Sequence, residues 1–271
     1  MMKIVNYSLV IATVLLLHAC GEYNKILNKG TNPDRYKLAN ELYKKGEYSK
    51  AIRLYELVLP SYATKPQSEA IVFRLADANY LTKDYLTSVY YYEKFLRSYP
   101  KSTEIETAQF NIAESYYQLS PKYSVDQTDT KKAIQAYQNF IDENPDSEKI
   151  EEANKRIKEL SFKLEKKAFE IAKQYYKIGN YKSAIVAFDN VILDFLGTQL
   201  KEEAMYYKFL SAYELGVNSV LHKKEARIED ALKIYERFLK AFPTSDYQED
   251  AKDLYDKLVK IKEGKQPVLN S

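Results

Sequence analysis

The sequence predicts an all-α protein, a helical solenoid of about five repeats closed by a C-terminal capping helix. Three observations predict it. The 271 residues include only 7 Gly and 8 Pro, roughly 3% of each where ~7% and ~5% are usual, so the chain is poor in residues that break helices and shape β-turns. One frame of small and aromatic residues recurs five times. The composition of 26 Tyr and 11 Phe with no Trp is a surplus of rings that this frame absorbs as packing.

The frame runs Ala, then Tyr one helical turn later, then Gly, Tyr, Ala, an aromatic and a closing Pro. Its occurrences are Ala39, Tyr43, Gly46, Tyr48, Ala51, Tyr55; Ala76, Tyr80, Tyr85, Ser88, Tyr92, Leu96, Pro100; Ala113, Tyr117, Ala133, Tyr137, Ile141, Pro145; Ala172, Tyr176, Gly179, Tyr181, Ala184, Phe188; and Tyr213, Ala231, Tyr235, Leu239, Pro243. Four-residue spacings place the paired residues on one helix face. Small residues fit where antiparallel helices touch, and rings fill the gaps. Gly46 and Gly179 suit helix ends that need positive φ. Pro100, Pro145 and Pro243 end the second helix of their pairs. The frame resembles the tetratricopeptide repeat (TPR), a 34-residue helix–turn–helix, over roughly residues 34–245.

The chain begins with an address. Lys3 precedes an apolar run, Leu9–Leu17, broken only by Thr13. The run is shorter than the ~20 residues that span a bilayer, so residues 1–19 read as a signal peptide. The string Leu17-His18-Ala19-Cys20-Gly21 resembles the bacterial lipobox, with His18 standing where a small residue is usual. That resemblance implies cleavage before Cys20, a diacylglycerol on its thiol and acylation of the new amino terminus. Acyl chains anchor at ~0.8 kcal/mol per buried CH₂. No Asp follows Cys20, which by the same resemblance favours the outer membrane, facing the periplasm. Residues 20–33 show no strong periodicity and read as a lipidated tether.

Residues 34–146 hold repeats one to three, the N-terminal TPR block. The second-helix anchors Ala51, Ser88, Ala133, Ala184 and Ala231 step by 37, 45, 51 and 47 residues, so extra material enters the later repeats. Residues 118–130, with Pro121, read as a loop inside repeat three, and 216–226 as a similar insert in repeat five. Residues 147–263 form the C-terminal block. There Ser147 is a candidate cap for a long helix of ~30 residues, with Ile150, Ala153, Ile157, Leu160, Leu164, Ala168, Ile171 and Tyr175 as its apolar stripe. Thr244 or Ser245 would cap a last helix with Ala251, Leu254, Leu258 and Ile261 on one face. Residues 264–271 read as a tail.

The chemistry is that of a binding module. Lys and Arg number 41 against 38 Asp and Glu, a net charge of +3, with no footprint for nucleic acid. One Cys excludes an intrachain disulfide, and two His leave too few ligands for a Cys/His zinc site. No phosphate loop, nucleophile elbow or His-Glu-x-x-His occurs. His222 reads as a solvated loop residue. No enzymatic activity is expected, and no cofactor beyond the covalent lipid at Cys20. First-helix positions line a TPR groove, which makes Tyr36, Asn40, Tyr43, Phe73, Arg74 and Asp77 the candidate peptide groove. Asn40 and Arg74 fit part of the TPR carboxylate clamp, whereas its Lys positions are missing.

The lipobox, the five repeats, the long helix and several local strings resemble the BamD family of TPR lipoproteins. Those strings are Asp84-Tyr85, Phe95–Pro100, Ser120–Thr130 with Asp126-Gln127-Thr128, Tyr175-Tyr176 and Gly179-Asn180-Tyr181. The resemblance implies a non-enzymatic adaptor of the outer-membrane β-barrel assembly (BAM) machinery. Its C-terminal repeats would contact a BamA-type barrel subunit, and its N-terminal groove would receive unfolded outer-membrane proteins. A generic periplasmic TPR scaffold for cell-envelope or cell-wall assembly shares every repeat feature and stands as the alternative.

Overall fold

The computed structural model describes residues 22–264. The signal peptide, Cys20 and the tail beyond Gly264 lie outside the described residues. Residues 22–29 are helical (α1), and there follow α2 (Asn32–Lys44), α3 (Tyr48–Tyr62), α4 (Gln67–Leu81), α5 (Tyr85–Ser98), α6 (Ile105–Leu119), α7 (Thr128–Glu143), α8 (Ile150–Lys177), α9 (Tyr181–Asp194), α10 (Lys201–Val217), α11 (Leu221–Ala241) and α12 (Gln248–Lys262). The fold is a TPR-type helical solenoid. The described residues divide into two compact units, 22–121 with 127–157 and 122–126 with 158–264.

Within the first unit α2/α3, α4/α5 and α6/α7 are hairpins, and within the second α8/α9 and α10/α11 pair, with α12 against the last hairpin. A triplet on each second helix makes the core. Ala51-Tyr55-Val58, Ser88-Tyr92-Phe95, Ala133-Tyr137-Phe140, Ala184-Phe188-Val191 and Ala231-Tyr235-Phe238 are all buried at spacings of four and three. Small residues admit the first helix and the two larger ones fill the space above it. The expected frame positions Leu96, Ile141 and Leu239 are only partly buried; the buried ring lies one residue earlier, because the face continues at i+7.

The turns inside the hairpins repeat one device. Glu47 N–H donates to Leu42 O, Asp84 to Asn79 O and Asn180 to Tyr175 O, each at 2.9 Å. These six-residue closures require a left-handed residue just before the donor. Gly46 (φ 78°), Lys83 (φ 67°) and Gly179 (φ 75°) supply it. Asp84 and Asn180 then cap α5 and α9 by accepting the N–H of Thr87 (3.2 Å) and Ser183 (3.4 Å). The Tyr that opens each of these three second helices meets a first-helix Tyr, edge-on in Tyr43–Tyr48 and Tyr80–Tyr85 and tilted in Tyr176–Tyr181, centroids 5.6, 5.5 and 5.9 Å apart.

The links between repeats share another device. Ser102, Ser147, Thr198 and Ser245 each accept the N–H two residues on, at 3.0–3.1 Å. Six residues after each stands a fully buried Ala: Ala108, Ala153, Ala204 and Ala251. Neither Thr244 nor Ser245 caps α12, whose N-cap is Tyr247 with no side-chain cap bond; Ser245 instead holds the N–H of Tyr247 in the link before it, and Ala251 and Leu258 are buried on the helix.

Several expectations are corrected. Residues 22–29 of the expected tether form a helix whose Tyr23 and Leu27, one turn apart, pack on the first repeat. The insert read over 118–130 leaves a loop of only 120–127, since Thr128 onward is helical. The insert 216–226 is no loop: three residues join α10 to α11, because 221–226 hold helix formers and simply lengthen α11. His222 is exposed but lies in the first turn of that helix. On α8 the stripe holds at Ala153 and Leu160, then continues through Phe169 and Ala172. Ile171 and Tyr175 are exposed, because the helix must turn Ala172 toward Ala184 of α9.

Lys83 holds a conformation that costs a residue with a Cβ roughly 1–2 kcal/mol. Lys83→Gly is expected to raise unfolding stability by about 0.5–1 kcal/mol in urea melts, the gain being cut by the greater freedom of Gly in the unfolded chain. A loss of stability would contradict the turn assignment.

Candidate functional site

The first-helix residues expected to line a groove do so in part. Tyr43, Phe73 and Arg74 wall a cleft of about 410 Å³ in the first unit, together with Pro66, Glu69, Ala70, Phe95, Thr103 and Glu104. Phe73 is held by its own packing, edge-on to Tyr92 (5.7 Å) and Phe95 (5.2 Å). Tyr36 instead packs its ring 5.2 Å from that of Tyr62. Asn40 and Asp77 do not wall the cleft; they hold the residues that do.

That support is a ladder of hydrogen bonds. The triplet tyrosines of the first unit, Tyr55, Tyr92 and Tyr137, are buried, and each hydroxyl donates to the residue that follows the small residue of its first helix. Tyr55 donates to Asn40 Oδ1 (2.7 Å), Tyr92 to Asp77 Oδ1 (3.4 Å) and Tyr137 to Glu114 Oε1. A residue three positions upstream on the next helix then reaches back. Arg74 Nη1 donates to Asn40 Oδ1, Asn111 Nδ2 to the Tyr92 hydroxyl (2.8 Å), and Arg156 Nε to Glu114 Oε1 (3.3 Å). Tyr43 also donates to Asp77 Oδ2. The rungs join each repeat of the first unit to its neighbour, and Arg74 lies 5.7 Å over the Tyr43 ring at the cleft wall.

Burial sets the electrostatics of the ladder. It raises the phenols of Tyr43 and Tyr137 well above their ordinary value, and their bonds to Asp77 and Glu114 add to the shift. Tyr92 is raised by burial and then by the charge of Asp77. Tyr55 is pushed up to about 12 by burial, against the opposing charge of Arg74. No group of three or more His, Cys, Asp or Glu among the described residues is placed to hold a metal ion. Among the same residues no helix is long and apolar enough to cross a membrane.

The sequence model of the YfiO family, outer membrane lipoproteins, matches residues 29–227 and 163–264. The chain belongs to this family. No curated protein sequence matches it. Similar solved structures include TTC0263, a thermophilic TPR protein of Thermus thermophilus, at 15% identity over 84% of this chain and 99% of that one, with a TM-score of 0.32. Another is the TPR2AB domain of yeast Sti1 in complex with pHSP90, at 15% identity over 84% and 98%, TM-score 0.39.

Of the cleft's further wall residues, Phe95, Thr103 and Glu104 lie off the first helices on which the groove was expected, whereas Glu69 and Ala70 lie on α4 about one turn before Phe73. Phe95 belongs to the second-helix triplet, and Thr103-Glu104 follow the Ser102 link. Arg156 was legible in principle. It stands nine residues after Ser147, as Asn111 stands nine after Ser102.

Two outcomes test the ladder. Arg156→Ala removes the cation from the buried Glu114 carboxylate and is expected to cost about 3 kcal/mol, with much of the loss recovered when Glu114→Gln is added. The four tyrosines have folded pKa values raised above the unfolded value, so their contribution is fully present below about pH 10 and is lost as pH rises through the folded values. Thermal melts are expected to hold level up to about pH 10 and to fall above it; a flat profile to about pH 12 would contradict the burial of these phenols.

Proposed function

We propose that the chain is a lipid-anchored TPR adaptor of the outer-membrane protein assembly complex. It binds a BamA-type barrel-forming subunit through its C-terminal repeats and receives unfolded outer-membrane proteins at its N-terminal groove. Membership in a family of outer membrane lipoproteins supports the location. The observation that carries the substrate half is the first-unit cleft, whose ring-bearing wall of Tyr43, Phe73 and Phe95 suits an extended segment rich in aromatics. Acylation of Cys20 would hold this cleft at the membrane surface and raise its effective concentration near the barrel subunit. The BamD-type strings of the sequence supply the remainder of the reading.

Mild-detergent purification from the native membrane is expected to bring down a BamA-type barrel protein. Recovery of a cell-wall enzyme in its place would favour a generic envelope scaffold. Photo-crosslinkers at Glu69 and Thr103 on the cleft wall are expected to trap newly exported barrel proteins, while one at the exposed Gln138 of α7 is not. Equal trapping at all three positions would reject the cleft as the receiving site.

A further inference from the structure

We propose that a cleft between α9, α10 and α11 of the second unit binds an acidic amphipathic helix of a protein partner, with carboxylates meeting Lys233 and Arg237. The reading above names a partner for the C-terminal repeats; the inference supplies the chemistry of a contact surface there and does not depend on which partner is recovered.

Among the described residues the same kind of cleft recurs at three places, each between two successive second helices and the first helix that lies between them. In the first unit α3, α4 and α5 enclose about 380 Å³, with Lys94 the one charged wall residue. There too α5, α6 and α7 enclose about 200 Å³, with Glu93 and Glu143 on the wall and no basic residue. In the second unit α9, α10 and α11 enclose about 250 Å³, walled by four basic residues and two carboxylates. The backbone frame is shared, so the difference lies in side-chain choice. Position six after the small residue of the second helix shows it: Lys94, Asn139 and Arg237 follow Ser88, Ala133 and Ala231 by that interval.

The charges of the third cleft are not all spent on one another. Lys208 donates to Asp189, and Arg227 donates to the Ser219 hydroxyl at 2.7 Å. Lys233 and Arg237 are exposed and have no ion-pair partner among the described residues. Asp230, one turn before Lys233 on α11, is the other carboxylate on the wall, and a surplus of two positive charges remains. Ile185, Ala212, Leu215 and Ile234 give the cleft an apolar lining.

Lys233 and Arg237 are one turn apart on one helix, about 5–6 Å between their Cβ atoms. Carboxylates at i and i+4 of a docked helix repeat that interval, and an aliphatic residue between them faces the apolar lining. Charge pairs around a small apolar contact favour fast, salt-sensitive association with a selected partner. A ligand of uniform acidity would forgo the lining, and a purely apolar helix would leave two cations covered and unpaired.

The test uses the mature chain and a fluorescein-labelled helical peptide carrying Glu at i and i+4 around a Leu, read by anisotropy. Saturable binding is expected, weakening as salt rises toward about 0.5 M. The same peptide with Gln for Glu, or the Lys233→Glu/Arg237→Glu chain, is expected to bind at least about tenfold more weakly. Lys94→Glu in the related cleft of the first unit is expected to leave the affinity unchanged. Both altered residues of the second unit are exposed, and an unchanged circular dichroism melt verifies the fold. No saturable binding by the parent chain, or equal binding by the double variant, overturns the inference. The co-purification test does not use this peptide and decides the adaptor reading separately.

Discussion

A tyrosine buried in a helical core brings a hydroxyl that must be hydrogen-bonded, and that demand organises the first unit. Tyr55, Tyr92 and Tyr137 are fully buried, at the centre of the small–aromatic–apolar triplets that hold each hairpin together. Their hydroxyls require polar partners on the first helices, and Asn40, Asp77 and Glu114 stand at the one register that reaches them. Those partners are themselves partly or wholly buried, so they require donors from the next helix. Arg74 and Arg156 meet that need for Asn40 and Glu114; Asp77 takes its second donor from Tyr43 instead, and Asn111 donates to the Tyr92 hydroxyl. Packing inside a repeat is thereby converted into a specified register between repeats, which apolar contact alone fixes less sharply.

The second unit solves the same packing problem differently. Phe188 takes the place of the buried Tyr in repeat four and needs no partner. Lys173, the residue equivalent to Asn40, Asp77 and Glu114, turns to Glu203 (2.9 Å) and lies 4.5 Å over the Tyr207 ring. Tyr206 and Tyr247 stack 4.3 Å apart, as do Tyr235 and Tyr255 at 4.4 Å, to close the end against α12. Ring stacking replaces the hydroxyl ladder. The two units thus share a helical frame and differ in how neighbouring helices are tied, which leaves their clefts with different chemistry.

Much of this was legible in the sequence. The helical class, the hairpin frame, the left-handed Gly46 and Gly179 and the closing prolines followed from spacing and breaker chemistry. The capping helix did too. The missed features have physical reasons. Lys83 hid a left-handed turn, since only Gly advertises one. The Ser or Thr followed six residues later by Ala, which sets each link between repeats, is a two-letter signal that emerges only when the four copies are superposed. The stripe on α8 went astray near Ile171 because steps of three and four are equally helical, and only contact with Ala184 selects Ala172. The candidate groove was half legible. Tyr43, Phe73 and Arg74 wall the cleft, whereas Asn40 and Asp77 are claimed by buried tyrosines, a demand that a reading of first helices alone does not register.

The central claim is that the first unit presents a pre-formed receiving cleft, built by the ladder and walled by rings. Hydrogen–deuterium exchange of the mature chain, with and without a urea-denatured outer-membrane barrel protein diluted into it, tests this most directly. The account predicts slower exchange at the first turns of α4 and around Thr103-Glu104 when the barrel protein is present, with α7 unchanged. Exchange unaltered at α4, or slowed uniformly along the chain, would contradict it.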